Sequence, residues 1–150
     1  MHNNKNLNII ALDAMGGDYG PEVTVPAAVE ATKKKDLAVI LVGEKQLIER
    51  ELSKFTPPET SLLSVVPSQG VVTEEESPAL AYRTKPRASV YVAAGIVKAG
   101  KASGFVSMGS TGASIAASTV LYGTMDGIER GALGGPVICL LYTSDAADDT

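Results

Sequence analysis

Cysteine, histidine and aromatic residues are scarce in this sequence. Its 150 residues include one cysteine, Cys139, one histidine, His2, two phenylalanines and no tryptophan. A single cysteine excludes an intrachain disulfide and a cysteine-rich zinc centre. His2 sits in a polar N-terminal stretch that is expected to be a flexible tail over residues 1–6, so no histidine is at hand for a Ser-His-Asp triad. No metal ligand set stands out, and no cofactor is expected. No apolar run approaches the length of about 18 residues that a membrane-spanning helix needs. Met1 to Asn8 lack the apolar centre of a signal peptide, and a cytoplasmic location is the expectation. The formal net charge is -4, and no basic stripe is interleaved with aromatics, which argues against nucleic acid as a partner. Lys33-Lys34-Lys35 reads as the solvated, dipole-favoured end of a helix. Gly-x-Gly-x-x-Gly, the dinucleotide fingerprint, does not occur.

What is present is a regular alternation. The chain is 45% hydrophobic and 20% charged, the balance of a soluble globular domain or part of one. Apolar, β-branched runs at Leu7–Leu12, Leu37–Val42, Leu62–Val66 and Ala102–Val106 read as strands. Leu37–Val42 is apolar throughout instead of alternating, as befits a strand covered on both faces. Amphipathic patterns at Val23–Lys33, Glu44–Phe55 and Ser89–Ala99 read as helices, with a further helix over Gly112–Leu121. Strands alternating with helices give an α/β fold: a mostly parallel sheet with helices on both faces, a Rossmann-like three-layer sandwich that is incomplete at this length. Gln69–Arg87 breaks the pattern. Its acidic triplet Glu74-Glu75-Glu76 is expected near the start of a short helix from about Ser77. Arg83, Lys85 and Arg87, interrupted by Pro86, are expected in a loop or extended stretch that is either solvated or an anion site.

Three stretches invite a chemical reading. Leu12-Asp13-Ala14-Met15-Gly16-Gly17-Asp18-Tyr19-Gly20-Pro21 follows the first strand and precedes a helix. Asp13 and Asp18 place acceptor-only groups beside Gly16 and Gly17, which allow close approach. By itself the string fits either a tight βα turn or a functional loop. Ser107-Met108-Gly109-Ser110-Thr111-Gly112-Ala113 lies between the last strand and last helix, where unpaired N–H groups favour an anion. Ser110 and Thr111 can cap that helix or donate to a phosphate oxygen. Gly95-Ile96-Val97-Lys98-Ala99-Gly100-Lys101-Ala102 nearly matches a nucleotide phosphate loop. Ala102 stands where a magnesium-holding Ser or Thr is required, and the stretch ends a helix instead of following a strand. Gly100 is better read as the residue just past a helix C-terminus.

The string from Leu12 to Glu22 closely resembles the N-terminus of the bacterial phosphate acyltransferase family of phospholipid synthesis. That family carries Ser-Ala-Gly-Asn-Thr-Gly-Ala where this chain reads Ser107 to Ala113, with Met108 and Ser110 substituted. Arg83, Ser89 and the run Ile96 to Ala102 resemble its basic segment, serine pair and following helix. Here Ala88 replaces the first serine, and Pro86 and Arg87 are unusual. Gly127-Ile128-Glu129-Arg130 is the last matching piece, so the resemblance runs from about Leu7 to Arg130. Family members are about twice this length. The chain is therefore expected to be an N-terminal part of one acyltransferase domain over residues 7–140, with residues 141–150 expected to be non-native.

The resemblance implies transfer of a fatty acyl group from acyl carrier protein to inorganic phosphate, giving acyl phosphate. A thioester is already activated and phosphate is an anionic nucleophile, so positioning and oxyanion stabilisation suffice without Cys or His. Asp13, Gly16, Gly17 and Asp18 are the candidate catalytic residues, the two carboxylates shaping the mouth of the site more than acting as bases. Gly109, Ser110, Thr111 and Gly112 are assigned to phosphate, with Arg83 and Lys85 as countercharges. Lys98 and Lys101 are candidates for docking the acidic carrier protein. The resemblance also implies a homodimer at full length and peripheral membrane association. The competing readings are a coenzyme-A-dependent phosphotransacylase of related fold, a dehydrogenase of similar fold, and an inactive α/β fragment.

Overall fold

The computed structural model describes residues 7–34, 36–131 and 134. His2, Cys139, the 1–6 tail and the 141–150 tail lie outside these residues. In chain order the elements are β1 (Asn8–Asp13), α1 (Pro21–Thr32), β2 (Leu37–Gly43), α2 (Lys45–Leu52), α3 (Pro57–Thr60), β3 (Leu63–Pro67), α4 (Pro78–Thr84), α5 (Ser89–Lys98), β4 (Gly104–Ser107) and α6 (Thr111–Tyr122). The four strands form one sheet in the order β3-β2-β1-β4, and every pairing is parallel.

Alternation along β2 assigns the two faces. Val39 and Leu41 pack with Val25 and Ala28 of α1 and Ile48 of α2. Ile40 and Val42 point the other way and pack with Ala93 of α5. This explains why Leu37–Gly43 lacks polar residues: neither face meets water. α4, α5 and α6 together build a further cluster from Ala81, Tyr91, Ala94, Ala113 and Ala117. The small side chains of α5 and α6 let the two helices approach closely. Tyr82 and Tyr91 meet edge to face with ring centroids 5.0 Å apart, and the Tyr91 hydroxyl donates to the Pro78 carbonyl at 3.1 Å, tying α5 to α4.

Several boundaries differ from the sequence reading. Helix α1 begins at Pro21, whose missing N–H costs nothing in a helix's first turn. The short α3 carries a reciprocal capping box between Thr56 and Glu59. Arg83 is helical, contrary to the expected loop: Pro78 opens α4, and Pro86 lies past its end instead of interrupting it. β4 begins at Gly104, not Ala102: the Ser103 N–H reaches the Ile9 carbonyl of β1, and the backbone through Lys101 closes the end of α5. There Gly100 has φ +71, its N–H reaches the Val97 carbonyl at 2.9 Å, and the Lys101 N–H reaches Ile96 at 3.1 Å. That paired closure is a Schellman motif, which accounts for the glycine-lysine pair with no nucleotide.

Candidate functional site

β1 and β4 are neighbours, with Asp13 directly opposite Ser107 at their carboxyl ends. The loops after these strands therefore leave the sheet side by side, where open α/β sheets hold their ligands. Asp13 is 2% exposed. Its Oδ1 accepts from the N–H groups of Met15 and Gly16, each at 3.1 Å. Its Oδ2 accepts from the Ser107 hydroxyl at 2.7 Å, and Ser107 Oγ in turn accepts from the Gly109 N–H at 3.1 Å. One continuous hydrogen-bond chain thus fastens the β1 loop to the β4 loop.

The glycines make this approach possible. A Cβ on Gly16 would lie 2.7 Å from the Gly109 nitrogen, closer than backbone can tolerate. Gly17 has φ +82, a region that side chains disfavour. Asp18 is exposed. With Gly17, Met108, Ser110 and Thr73 it lines a cavity of about 240 Å³. An adjoining cavity of about 280 Å³ shares Gly17, Asp18 and Met108 with it and is lined also by Gly16, Tyr19, Val23 and Thr24. Thr24 helps to fix the loop by donating to the Ala14 carbonyl at 2.8 Å.

Ser110 is the N-cap of α6: its Oγ accepts from the Ala113 N–H at 3.3 Å, and the residue is buried. The Ser114 N–H returns to the Ser110 carbonyl. Among the described residues, nothing accepts from the N–H groups of Thr111 and Gly112, and the exposed Thr111 hydroxyl is unbonded. The helix start therefore offers two backbone donors and one hydroxyl beside the β1 loop. The Cα of Gly112 faces Pro78, where a Cβ would meet the ring at 2.8 Å, so this glycine admits α4 against α6.

The other expected residues lie apart. Arg83 is exposed on the last turn of α4. Lys85, just after that helix, pairs with Glu76 at 2.6 Å and donates to the Val71 carbonyl at 3.1 Å. It braces the wall of the 240 Å³ cavity from behind. The Lys85 ammonium holds the Glu76 carboxyl below the usual glutamate range. Lys98 and Lys101 are exposed at the end of α5. Because α5 leads into the start of β4, they lie at the opposite end of the sheet from Asp13 and Ser107.

The sequence places Ser107 at the head of the second loop string but assigns it no role of its own. Its importance depends on the β4 register, which brings its hydroxyl opposite Asp13 across 94 residues of sequence. A strand-terminal serine opening a glycine-containing loop is the available signal, and by itself it does not name the distant carboxylate that the hydroxyl meets.

The sequence model of a family described as "Fatty acid synthesis protein" matches residues 9–139. The match extends past Arg130, where the motif-by-motif resemblance stopped. Curated relatives named "Phosphate acyltransferase" include one from Clostridium kluyveri, 42% identical over 125 residues, which covers 83% of this chain and 37% of the relative. A Nitratidesulfovibrio vulgaris relative is 43% identical over 128 residues, 85% of this chain and 37% of its own length. A Vibrio campbellii relative is 44% identical over 125 residues, 83% and 37% respectively. The chain thus spans little more than a third of the length of these relatives. Both joined loops, Asp13–Gly20 and Ser107–Thr111, fall inside the matched stretch, and the chain belongs to the fatty acid synthesis protein family.

Proposed function

We propose that this chain is the phosphate-holding part of an enzyme that transfers a fatty acyl group from acyl carrier protein to inorganic phosphate, giving acyl phosphate for phospholipid synthesis. The observation that carries this reading is the Asp13–Ser107–Gly109 hydrogen-bond chain, which sets the glycine loop of β1 against the open start of α6. The N–H groups of Thr111 and Gly112 and the Thr111 hydroxyl bind phosphate, helped by the positive end of the helix dipole. A phosphate oxygen attacks the thioester carbonyl and forms the new C–O bond. The tetrahedral oxyanion collapses, the C–S bond breaks, and the carrier leaves as thiolate and takes a proton from solvent. Asp13 is a positioning residue in this scheme. Gly16 and Gly17 keep the reacting end of β1 clear, and Asp18 orients groups at the mouth.

Arg83 acts as a longer-range countercharge, while Lys85, paired with Glu76, supports the wall of the site. Lys98 and Lys101 provide the basic surface for the acidic carrier. A homodimer and peripheral membrane association of the full-length protein belong to the same proposal.

Residues 7–131 joined to the remaining length of the Clostridium kluyveri relative provide the test. The chimera is expected to form acyl phosphate from acyl carrier protein thioester and phosphate. A preference for acyl-coenzyme A would establish the coenzyme-A-dependent phosphotransacylase instead. A folded chimera inactive with both donors would refute the acyl-transfer assignment. The 150-residue chain alone is expected to be inactive.

A further inference from the structure

We infer that Met108 is a specificity-determining residue for the acyl chain, which it steers into the cavity bounded by Tyr19 and Val23. This inference rests on the phosphate assignment at the start of α6 and adds the place of the second substrate. Two cavities adjoin where the β1 and β4 loops meet, one of about 240 Å³ and one of about 280 Å³, and Gly17, Asp18 and Met108 border both. Gly17 makes room for Met108 at that border: a Cβ on Gly17 would meet the Met108 Cβ at 3.3 Å.

The two cavities differ in chemistry. The 240 Å³ cavity reaches Ser110 at the start of α6 and is bordered by Asp18, Thr73 and Glu74. Burying an alkyl chain there would strip water from two carboxylates, which is costly. The 280 Å³ cavity offers Tyr19, Val23 and Met108 instead, with glycines between them. Thr24, which also lines it, has its hydroxyl bound to the Ala14 carbonyl at 2.8 Å. Tyr19 is 71% exposed, Val23 55% and Met108 69%, so three large apolar side chains meet water around one concavity. Single exposed apolar residues are ordinary, whereas a contiguous group of them marks a binding surface.

A thioester attacked by phosphate must set its carbonyl beside the anion and send its alkyl chain away from it. With phosphate on the Thr111 and Gly112 N–H groups, the carbonyl comes to the border between Gly17 and Met108, and the chain continues over Val23 and Tyr19. Methionine suits that border, because its unbranched thioether adapts to a flexible chain. The polar cavity keeps the anion side, and the apolar one takes the chain.

The test is an NMR titration of the ¹⁵N-labelled full chain with ethyl, butyl and hexyl phosphate, alkyl analogues of acyl phosphate, and separately with inorganic phosphate. Shifts at the Tyr19, Val23 and Met108 amides are expected to grow with the chain. Affinity should rise about twofold per methylene in an open cavity, where full burial would give about fourfold. Hexyl phosphate should therefore bind about fifteenfold tighter than ethyl phosphate. Val23→Asn and Met108→Ala, both at exposed positions, should each lower that ratio about threefold. The ratio is independent of how tightly phosphate itself is held, so a general loosening of the loops would not move it. Equal affinity for the three esters overturns the inference, as does a ratio that survives both substitutions. Length-dependent shifts centred on Ile115 and Tyr122, which line a further cavity on α6, overturn it too. Inorganic phosphate tests the underlying reading by itself. Silent Thr111 and Gly112 amides beside length-dependent shifts at Met108 would keep the chain site and remove the phosphate assignment, and a response there without length dependence would do the reverse.

Discussion

Replacing Asp13 tests the joint between the two loops most directly. Its buried carboxylate accepts three hydrogen bonds, from Met15, Gly16 and Ser107. Hydrogen bonds to a charged group contribute roughly 1.5–3 kcal/mol each, and the terms are not additive where donors share one acceptor. Asp13→Ala should therefore destabilise the fold by about 4 kcal/mol, because Ser107 can turn its hydroxyl but the two N–H groups cannot follow. Asp13→Asn keeps one oxygen for Met15 and Gly16 and places an amide donor against Ser107, whose oxygen already takes the Gly109 N–H. Its cost should be only about 1–2 kcal/mol. Urea denaturation of the full chain followed by circular dichroism distinguishes these. With a slope of about 2 kcal/mol/M, the midpoint should fall by about 2 M for Asp13→Ala and by less than about 1 M for Asp13→Asn. In a double-mutant cycle, Ser107→Ala should be coupled to Asp13→Ala by about 1–2 kcal/mol. If Asp13→Ala shifted stability by less than about 0.5 kcal/mol, the range of an ordinary surface change, the joint would not hold the loops.

Gly16→Ala should cost about 1–3 kcal/mol, because its Cβ would press on the Gly109 backbone; a melting temperature equal to that of the parent would show that the loops can separate freely. In the chimeric enzyme, Thr111→Val should raise KM for phosphate about tenfold with little change in kcat, the loss of one hydroxyl donor to an anion, whereas an unchanged KM would remove Thr111 from the phosphate site. Glu76 has its carboxyl lowered from an ordinary value of 4.5 by Lys85 and then by Thr73, so its pairing contributes fully above that value and is lost as pH falls through the lowered one. An NMR titration should therefore place its midpoint below 4.5, and Lys85→Met should move the midpoint upward. Tyr91→Phe should cost about 1 kcal/mol by releasing the Pro78 carbonyl, and hydrogen exchange should localise the loosening to α4.

The unbroken apolar run of β2 could be read directly, because a strand buried on both faces has no polar position to spare. The end of α5 was legible for a similar reason: glycine in a left-handed closure leaves a local signature at Gly100. The candidate site was legible only as two separate strings. Asp13 and Ser107 are 94 residues apart, and no local periodicity relates them. Arg83 is expected in a loop but is helical, because a proline inside a stretch and a proline just past a helix look alike until the helix end is known.

What the sequence by itself determined about this protein is therefore what short-range chemistry dictates: the strand–helix alternation, the parallel α/β class, the glycine loops and the family. Each rests on residues within a few positions of one another, where backbone preference and burial act directly. The tertiary structure alone decided which loops meet. Parallel pairing of β1 with β4 set Asp13 opposite Ser107 and brought the glycine loop of β1 against the loop that opens α6. These outcomes depend on strand order and register, which are fixed by how distant apolar faces cover one another, and no local stretch of sequence encodes them.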